Sequence, residues 1–373
     1  MKDLSGKLIA LVLTTVLSFS AHNSSAQLTD LGRLLTGGAE DGAKLLEAYL
    51  TPFPTAFGAT LNAGWYNTAR PHRFPGFDLT LSVNVAFVPD EAKHFNLADL
   101  QLSQYTRYPE GAISPTFSGA SGDPRPKMQY VQIIGEEQEV VIAEYTLPEG
   151  TGIGFIPAPT LQLGVGVPFG TDIIARYTPE VTFGDAGNMG LWGAGIKHDV
   201  KQWLPFLRRI PVFNLAVMGG YTNFYTGADI DFRPANIRDA NSSAARDRTS
   251  TRVNFDDQFM NFQVQSFTAN IIGSADLPFF TAYAGLGINS TKTKLKMTGW
   301  YPVPRIDSQG IIEVTDDSAI KDPVNFTMGG DYRGAQPRVT VGGKFKLAIL
   351  HIHLDYTWSN YSVITGGMGI SFR

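Results

Sequence analysis

Residues 77–87 read Phe-Asp-Leu-Thr-Leu-Ser-Val-Asn-Val-Ala-Phe. Phe77, Leu79, Leu81, Val83, Val85 and Phe87 are apolar, and Asp78, Thr80, Ser82, Asn84 and Ala86 between them are polar or small. In an extended chain the two sets point to opposite sides. The run is about as long as a tilted strand that crosses a bilayer, whereas strands of soluble sandwiches usually have about 5–6 residues. The pattern recurs. Leu161, Leu163, Val165 and Val167 alternate with Gln162, Gly164 and Gly166. Phe280, Ala282, Ala284, Leu286 and Ile288 alternate with Thr281, Tyr283, Gly285, Gly287 and Asn289. Ile352, Leu354, Tyr356 and Trp358 alternate with His351, His353, Asp355 and Thr357.

Composition points the same way. Charged residues are 17%, below the roughly 25% of soluble domains. Aromatic residues are 12%, and glycine is abundant at 39 residues. No apolar run after the amino-terminal region is long enough for a membrane-spanning helix. Together these traits fit a transmembrane barrel, in which lumen-facing polar residues dilute the hydropathy. With 0 cysteines, no disulfide holds the fold. A net charge of −4 argues against nucleic acid as a partner.

The first 26 residues read as a secretory signal. Lys2 and Lys7 precede an apolar run from Leu8 to Leu17, followed by a polar stretch with Ser24 and Ala26 at cleavage spacing. Cleavage after Ala26 leaves Gln27 first, and no lipoprotein cysteine follows the apolar run. Residues 27–57 are not strand-like. Leu28, Leu31 and Leu35 share a helical face, as do Leu45, Leu46 and Tyr49, and Pro52 and Pro54 are read as ending the second helix. The expected organisation is a signal peptide (1–26), an N-terminal helical plug or periplasmic segment (27–57) and an outer-membrane β-barrel (58–373).

Strand candidates lie near 58–66, 77–88, 127–135, 138–146, 158–167, 171–180, 189–198, 210–225, 253–273, 278–290, 291–299, 338–347, 350–359 and 362–373. The fold class expected is all-β, a transmembrane antiparallel barrel of about 14 strands, with about 12 as the alternative. Trp65, Tyr177, Trp192, Tyr221, Phe224, Tyr356, Trp358 and Tyr361 fall near strand ends, where aromatic girdles form. Pro168-Phe169-Gly170, the segment Ser274 to Pro278 and Ala348-Ile349 read as short periplasmic turns, and Val200 to Leu207 as a turn helix. Segments 104–126, 226–252 and 300–337 read as extracellular loops, and 89–104 as a polar insert docked by Phe95, Leu97 and Leu100. In 226–252, Asp229, Asp231, Arg233, Arg238, Asp239, Arg246, Asp247 and Arg248 read as solvated loop charge. Both termini are expected in the periplasm. The chain closes with Ile364, Gly366, Met368, Ile370 and Phe372 at alternate positions before Arg373. This resembles the C-terminal strand that the barrel-assembly machinery recognises, with the aromatic displaced one place from the end.

The layout is similar to the long-chain fatty-acid transporter family of outer-membrane barrels, and more closely to a Bacteroidota-type outer-membrane family related to it. The stretches Leu163 to Asp172, Arg176-Tyr177-Thr178-Pro179, Gly193 to Asp199 and Asp355 to Arg373 carry the likeness. The resemblance implies a fourteen-stranded barrel blocked by its N-terminal segment. Hydrophobic ligands would enter from outside and leave through a gap in the wall. No ligand-contacting residue is carried over.

The sequence has no Gly-x-Ser-x-Gly elbow, HExxH, P-loop or cysteine cluster. The expectation is therefore no catalytic residue, no cofactor and no enzymatic activity. His351, His353 and Asp355 share one strand face about 7 Å apart and would bind a metal only if a neighbouring strand supplied ligands. The plainer reading is a polar lumen face, and no metal is expected. Asp256 and Asp257 read as a polar bend. Gly164, Gly166, Gly193, Gly195, Gly285, Gly287, Gly367 and Gly369 would thin parts of the wall, leaving room for a helix or a ligand. Three functions follow. The first is a transporter or channel for small hydrophobic molecules, with an apolar cavity beside the N-terminal segment. The second is a non-transport barrel serving secretion, adhesion or surface assembly, with a filled lumen. The third is a passive porin with an open, charged lumen. Outer-membrane lipid is a partner in each.

Overall fold

In the computed structural model the chain is described at residue 34 and over residues 39–134, 138–182, 187–230, 253–303, 305–306, 312–313, 319–329 and 334–372. The signal peptide, Leu28, Leu31 and Leu35, and most of the charged residues in 226–252 lie outside the described residues.

Ten antiparallel strands close into a barrel: β1 (Phe77–Phe87), β2 (Phe155–Val167), β3 (Thr171–Thr182), β4 (Asn188–Asp199), β5 (Phe213–Asp229), β6 (Phe259–Asp276), β7 (Phe280–Thr298), β8 (Gln336–Leu347), β9 (Leu350–Trp358) and β10 (Val363–Phe372). Each pairs with its chain neighbour, and β1 pairs with β10 from Phe77 opposite Phe372 to Ala86 opposite Val363. One further strand, Val324–Gly329, pairs with the far end of β7 outside this ring.

The polarity is the reverse of a soluble fold. On β9, Ile352, Leu354 and Trp358 are 54%, 63% and 51% exposed, while His351, His353 and Asp355 are 3%, 5% and 4% exposed. β1 repeats this, with Phe77, Leu79 and Phe87 outside and Asp78, Thr80, Ser82 and Asn84 buried. An all-round apolar exterior over a polar interior suits a lipid solvent, and ring closure leaves no unpaired edge within it. Among the described residues no helix is long and apolar enough to cross a membrane. The outward aromatics form two belts. Tyr177, Trp192, Phe267 and Trp358 stand towards one end, and Phe77, Phe279, Phe345 and Phe372 towards the other. Trp65 and Phe224, expected in a girdle, are instead buried inside. Phe224 has inward parity on β5, and Trp65 belongs to no strand.

The strand count is ten, where about 14 or 12 were expected, for three physical reasons. Residues 58–66 are helix and extended chain, not strand. Lys127–Ile134 pairs with Gln138–Thr146 on one side and Thr106–Arg107 on the other, forming a separate three-stranded sheet. The candidates 278–290 and 291–299 are one strand, the 19-residue β7.

The two ends differ. At one end the connections are short: 168–170, 277–279, 348–349 and the helical turn with Pro205–Arg208. Phe169 and Gly170 both take positive φ there, the left-handed backbone that a tight reversal needs. At the other end lie the long connections 88–154, 230–258 and 299–335. Leu97 of the first is fully buried, and Phe95 and Leu100 pack beside it, as expected of docking residues.

Among the described residues two α-helices precede the barrel, α1 (Ala39–Leu50) and α2 (Pro52–Asn62). Pro52 and Pro54 start α2 rather than end α1's run, because proline fits the first turn, where no N–H partner is required. The barrel wall therefore begins at Phe77, not at residue 58. α1 buries Leu45 and Leu46 in an apolar cluster at the long-loop end, with Leu97, Met128, Phe262 and Leu295. α2 packs against β1, β2, β5, β6 and β7 from within. The chain after it descends to the short-turn end, where His72 meets β3 and β10. α1 and Phe372 thus stand at opposite ends of the barrel.

Candidate functional site: a gripped segment in the lumen

The inward polar residues converge on residues 52–76. A helix leaves its last carbonyls without intrahelical donors, and its C-terminus carries partial negative charge. Two arginines from opposite walls answer both needs at the end of α2. Arg176 of β3, 1% exposed, donates from Nη1 to the Leu61 carbonyl at 2.8 Å and from Nη2 to that of Ala63 at 2.7 Å. Its Nε donates to Gln162 at 3.0 Å, and its guanidinium lies 3.8 Å from the Trp65 ring centroid. Arg338 of β8 donates to the Asn62 carbonyl, to Thr268 at 3.2 Å and to Thr357 at 3.3 Å.

Below, two carboxylates fasten the extended stretch. Asp172 of β3 accepts the backbone N–H of His72 at 2.7 Å and lies 3.1 Å from His72 Nδ1 and 3.0 Å from Lys197 Nζ. His72 Nε2 lies 3.1 Å from the Ser371 hydroxyl of β10. Asp276 of β6 accepts from Thr68 at 3.3 Å and from Asn214 at 2.9 Å. Lys344 of β8 donates to Asn67 at 2.9 Å and stands 3.6 Å from Asp78. Buried charges in such a setting persist only when paired or well bonded.

The glycines mark where this segment touches the wall. A Cβ at Gly195 or Gly220 would lie 2.7 Å from the Trp65 ring, one at Gly285 would overlap the Tyr66 hydroxyl, and one at Gly166 would overlap the His72 carbonyl. Gly64, at φ +68, turns the chain beneath α2 close to Asn84. Gly367 and Gly369 instead make room for the His353 and His351 imidazoles opposite them.

His351, His353 and Asp355 do face the lumen, as their parity implies, but the wall does not gather them into one site. His351 Nε2 lies 3.2 Å from Thr80 and 3.7 Å from Asp78. Asp355 accepts from Tyr283 at 2.9 Å. Among the described residues no group of three or more His, Cys, Asp or Glu could hold a metal ion. Asp256 and Asp257 lie at the long-loop end before β6, away from this network. Sequence reasoning missed Asp78, Asp172, Arg176, Lys197, Arg338 and Lys344. The available signal was ionisable residues at the inward parity of strands whose outward parity is apolar. Beside α2 a crevice of about 260 Å³ opens between Pro54, Thr55 and Ala59 on one side and Thr291, Gln336 and Asn360 on the other. Its lining mixes amide and hydroxyl groups with apolar surface from Pro54, Ala59, Met328 and Tyr361.

A closed ring of ten strands with a lipid-facing exterior and a polar, occupied interior defines an outer-membrane β-barrel. The chain belongs to the family of unknown function DUF6588, whose model matches residues 1–372. No curated protein matches the sequence. Among solved structures it is similar to the translocator domain of autotransporter NalP from Neisseria meningitidis, at 9% identity and a TM-score of 0.29, covering 81% of this chain and 90% of that one. It is likewise similar to the outer-membrane protease OmpT from Escherichia coli, at 10% identity and TM-score 0.29, covering 81% and 98%. A third is Ail, the attachment invasion locus protein of Yersinia pestis, at 10% identity and TM-score 0.24, covering 80% and 100%.

Proposed function

We propose that this protein is a non-conducting outer-membrane barrel whose N-terminal segment acts as a fixed plug, and that it serves adhesion, secretion or surface assembly rather than solute flow. The carrying observation is the path of residues 52–76 through the lumen, held at α2 by arginines from opposite walls. On this reading it is not an enzyme. The short-turn end faces the periplasm, as in bacterial barrels generally. Phe372 is then periplasmic and α1 lies at the outer mouth. The alternating strand β10 is the part the barrel-assembly machinery would read.

Single-channel recording in planar bilayers tests this. The intact protein should be silent, and a variant lacking residues 27–62 should conduct. A large steady conductance from intact, inserted protein would defeat the plug and favour a porin.

A transporter for small hydrophobic molecules, as the resemblance to fatty-acid transporters implies, is the second reading. The aromatic group that Phe53 and Phe57 of α2 form with Phe117, Phe224 and Phe262 favours it. Saturable binding of 1-N-phenylnaphthylamine by purified protein, abolished by Phe57→Ala, would support this reading over a purely structural plug.

A further inference from the structure

The outward face of β7 changes character along its length. Ala282, Ala284, Leu286 and Ile288 face lipid, and the same parity continues through Ser290 to Lys292, Lys294 and Lys296. The opposite parity stays buried throughout this upper part, with Thr293, Leu295 and Met297 inside. The three lysines therefore point away from the barrel, about 7 Å apart.

Their height is fixed by the register. Ser290 pairs with Phe267 of β6, and Phe267 with Tyr221 of β5. The Tyr221 ring lies 5.5 Å from Trp192, so this row belongs to the long-loop aromatic belt. Lys292 stands on the next outward row. Aromatic belts mark the level at which acyl chains give way to headgroups. The ladder thus begins where phosphate-bearing headgroups lie.

Among the described residues its flanks carry no compensating charge. Lys292, Lys294 and Lys296 pair with Gln265, Gln263 and Asn261 on β6. On the other side Lys294 and Lys296 pair with Thr327 and Asn325. Asp229 and Asp322 lie beyond the last lysine, at the top of the sheet, and Glu180 is four strands away on β3. Solvated surface lysines normally alternate with acids. A row of three on one strand, amid neutral amide and hydroxyl donors, matches an anionic layer instead.

We propose that Lys292, Lys294 and Lys296, with Gln263 and Gln265, form a docking surface for the phosphate-bearing headgroups of the lipid leaflet at the long-loop end. The ammonium groups supply charge and the amides supply further donors to phosphate oxygens. The proposal rests on the barrel and its lipid-facing belt, and not on the plug.

The test is the relative association of spin-labelled phosphatidylglycerol and phosphatidylcholine with the full chain in bilayers, read from the motionally restricted spectral component. Wild type should prefer the anionic lipid, and about 1 M salt should erase the preference. K292Q/K294Q/K296Q should reduce the preference by up to about fivefold per lysine at low salt. The triple arginine variant should retain it, and K201Q/K346Q at the other end should leave it unchanged. Heat-modifiable gel mobility certifies folding; if the triple glutamine variant fails it, K294Q alone, with its salt titration, carries the test. Equal association of the two lipids with wild type, or an undiminished preference in folded glutamine variants, would overturn the proposal. Conductance measurements bear on the plug alone, so the two readings fail separately.

Discussion

Replacing Arg176 by alanine removes one half of the grip on α2. Three hydrogen bonds vanish: the Ala63 carbonyl loses its side-chain donor, while that of Leu61 keeps the Trp65 indole N–H at 3.2 Å. An unsatisfied buried acceptor costs about 1–3 kcal/mol. One such group, with the weakened bonding at Leu61, gives about 2 kcal/mol. The stacking with Trp65 is lost as well, for roughly 1 kcal/mol. Docking of α2 should therefore weaken by about 3 kcal/mol, or some 150-fold in its opening equilibrium. Hydrogen–deuterium exchange in detergent micelles reads this directly. Amides of Pro52–Asn62 should lose about two orders of magnitude of protection, while β1, β9 and β10 keep theirs. Protection of α2 within about threefold of wild type would refute the reasoning. So would an equal loss throughout the wall, which would make Arg176 a strut of the barrel and not a clasp on the segment.

Other outcomes follow from the same geometry. Gly285→Leu places a side chain where the Tyr66 hydroxyl lies, so the folded band on heat-modifiability gels should melt several degrees lower, with Gly343→Ala as a mild control. Asp172→Asn weakens both His72 and Lys197 contacts and should increase protease access to the Thr68–Phe74 stretch from the periplasmic side, without loss of membrane insertion. Because the chain has 0 cysteines, Glu40→Cys can be labelled alone. An impermeant maleimide should reach it in intact cells, and should likewise reach Glu110→Cys, whereas Phe169→Cys should need a permeabilised outer membrane. Zinc or a chelator should leave the melting temperature unchanged, since among the described residues no group of three His, Cys, Asp or Glu could hold a metal ion; a rise with zinc would reinstate a metal site.

How much of this was legible depends on distance along the chain. The two faces of β1 and β9 were readable because period-two alternation is local and the lipid enforces it on every outward residue. The number of strands was not. Lys127–Ile134 has the length and apolar content of a strand, and only its partners, Gln138–Thr146 and Thr106–Arg107, place it outside the barrel. Pro52 was ambiguous because proline both stops a helix and opens the next one. The lumen network was least visible. Arg176 meets Leu61 across 115 residues, and Lys344 meets Asn67 across 277. Such pairings leave no periodic trace, beyond glycines such as Gly195 and Gly285 standing where a side chain of the same parity would have collided.

The seam between β1 and β10 has a kinetic meaning. It joins the first wall strand to the last, so the ring closes only when the end of the chain arrives. By then the segment ahead of β1 must lie along the axis, because its contacts come from strands all around the ring. Once zipped, the ring encloses its own leading arm as a loop of rope encloses the piece passed through it. The arm can then slide lengthwise or the seam can tear, but it has no sideways exit. Release of the segment and rupture of the wall are thereby made alternatives in time, and whichever has the lower barrier sets how long the segment stays in place.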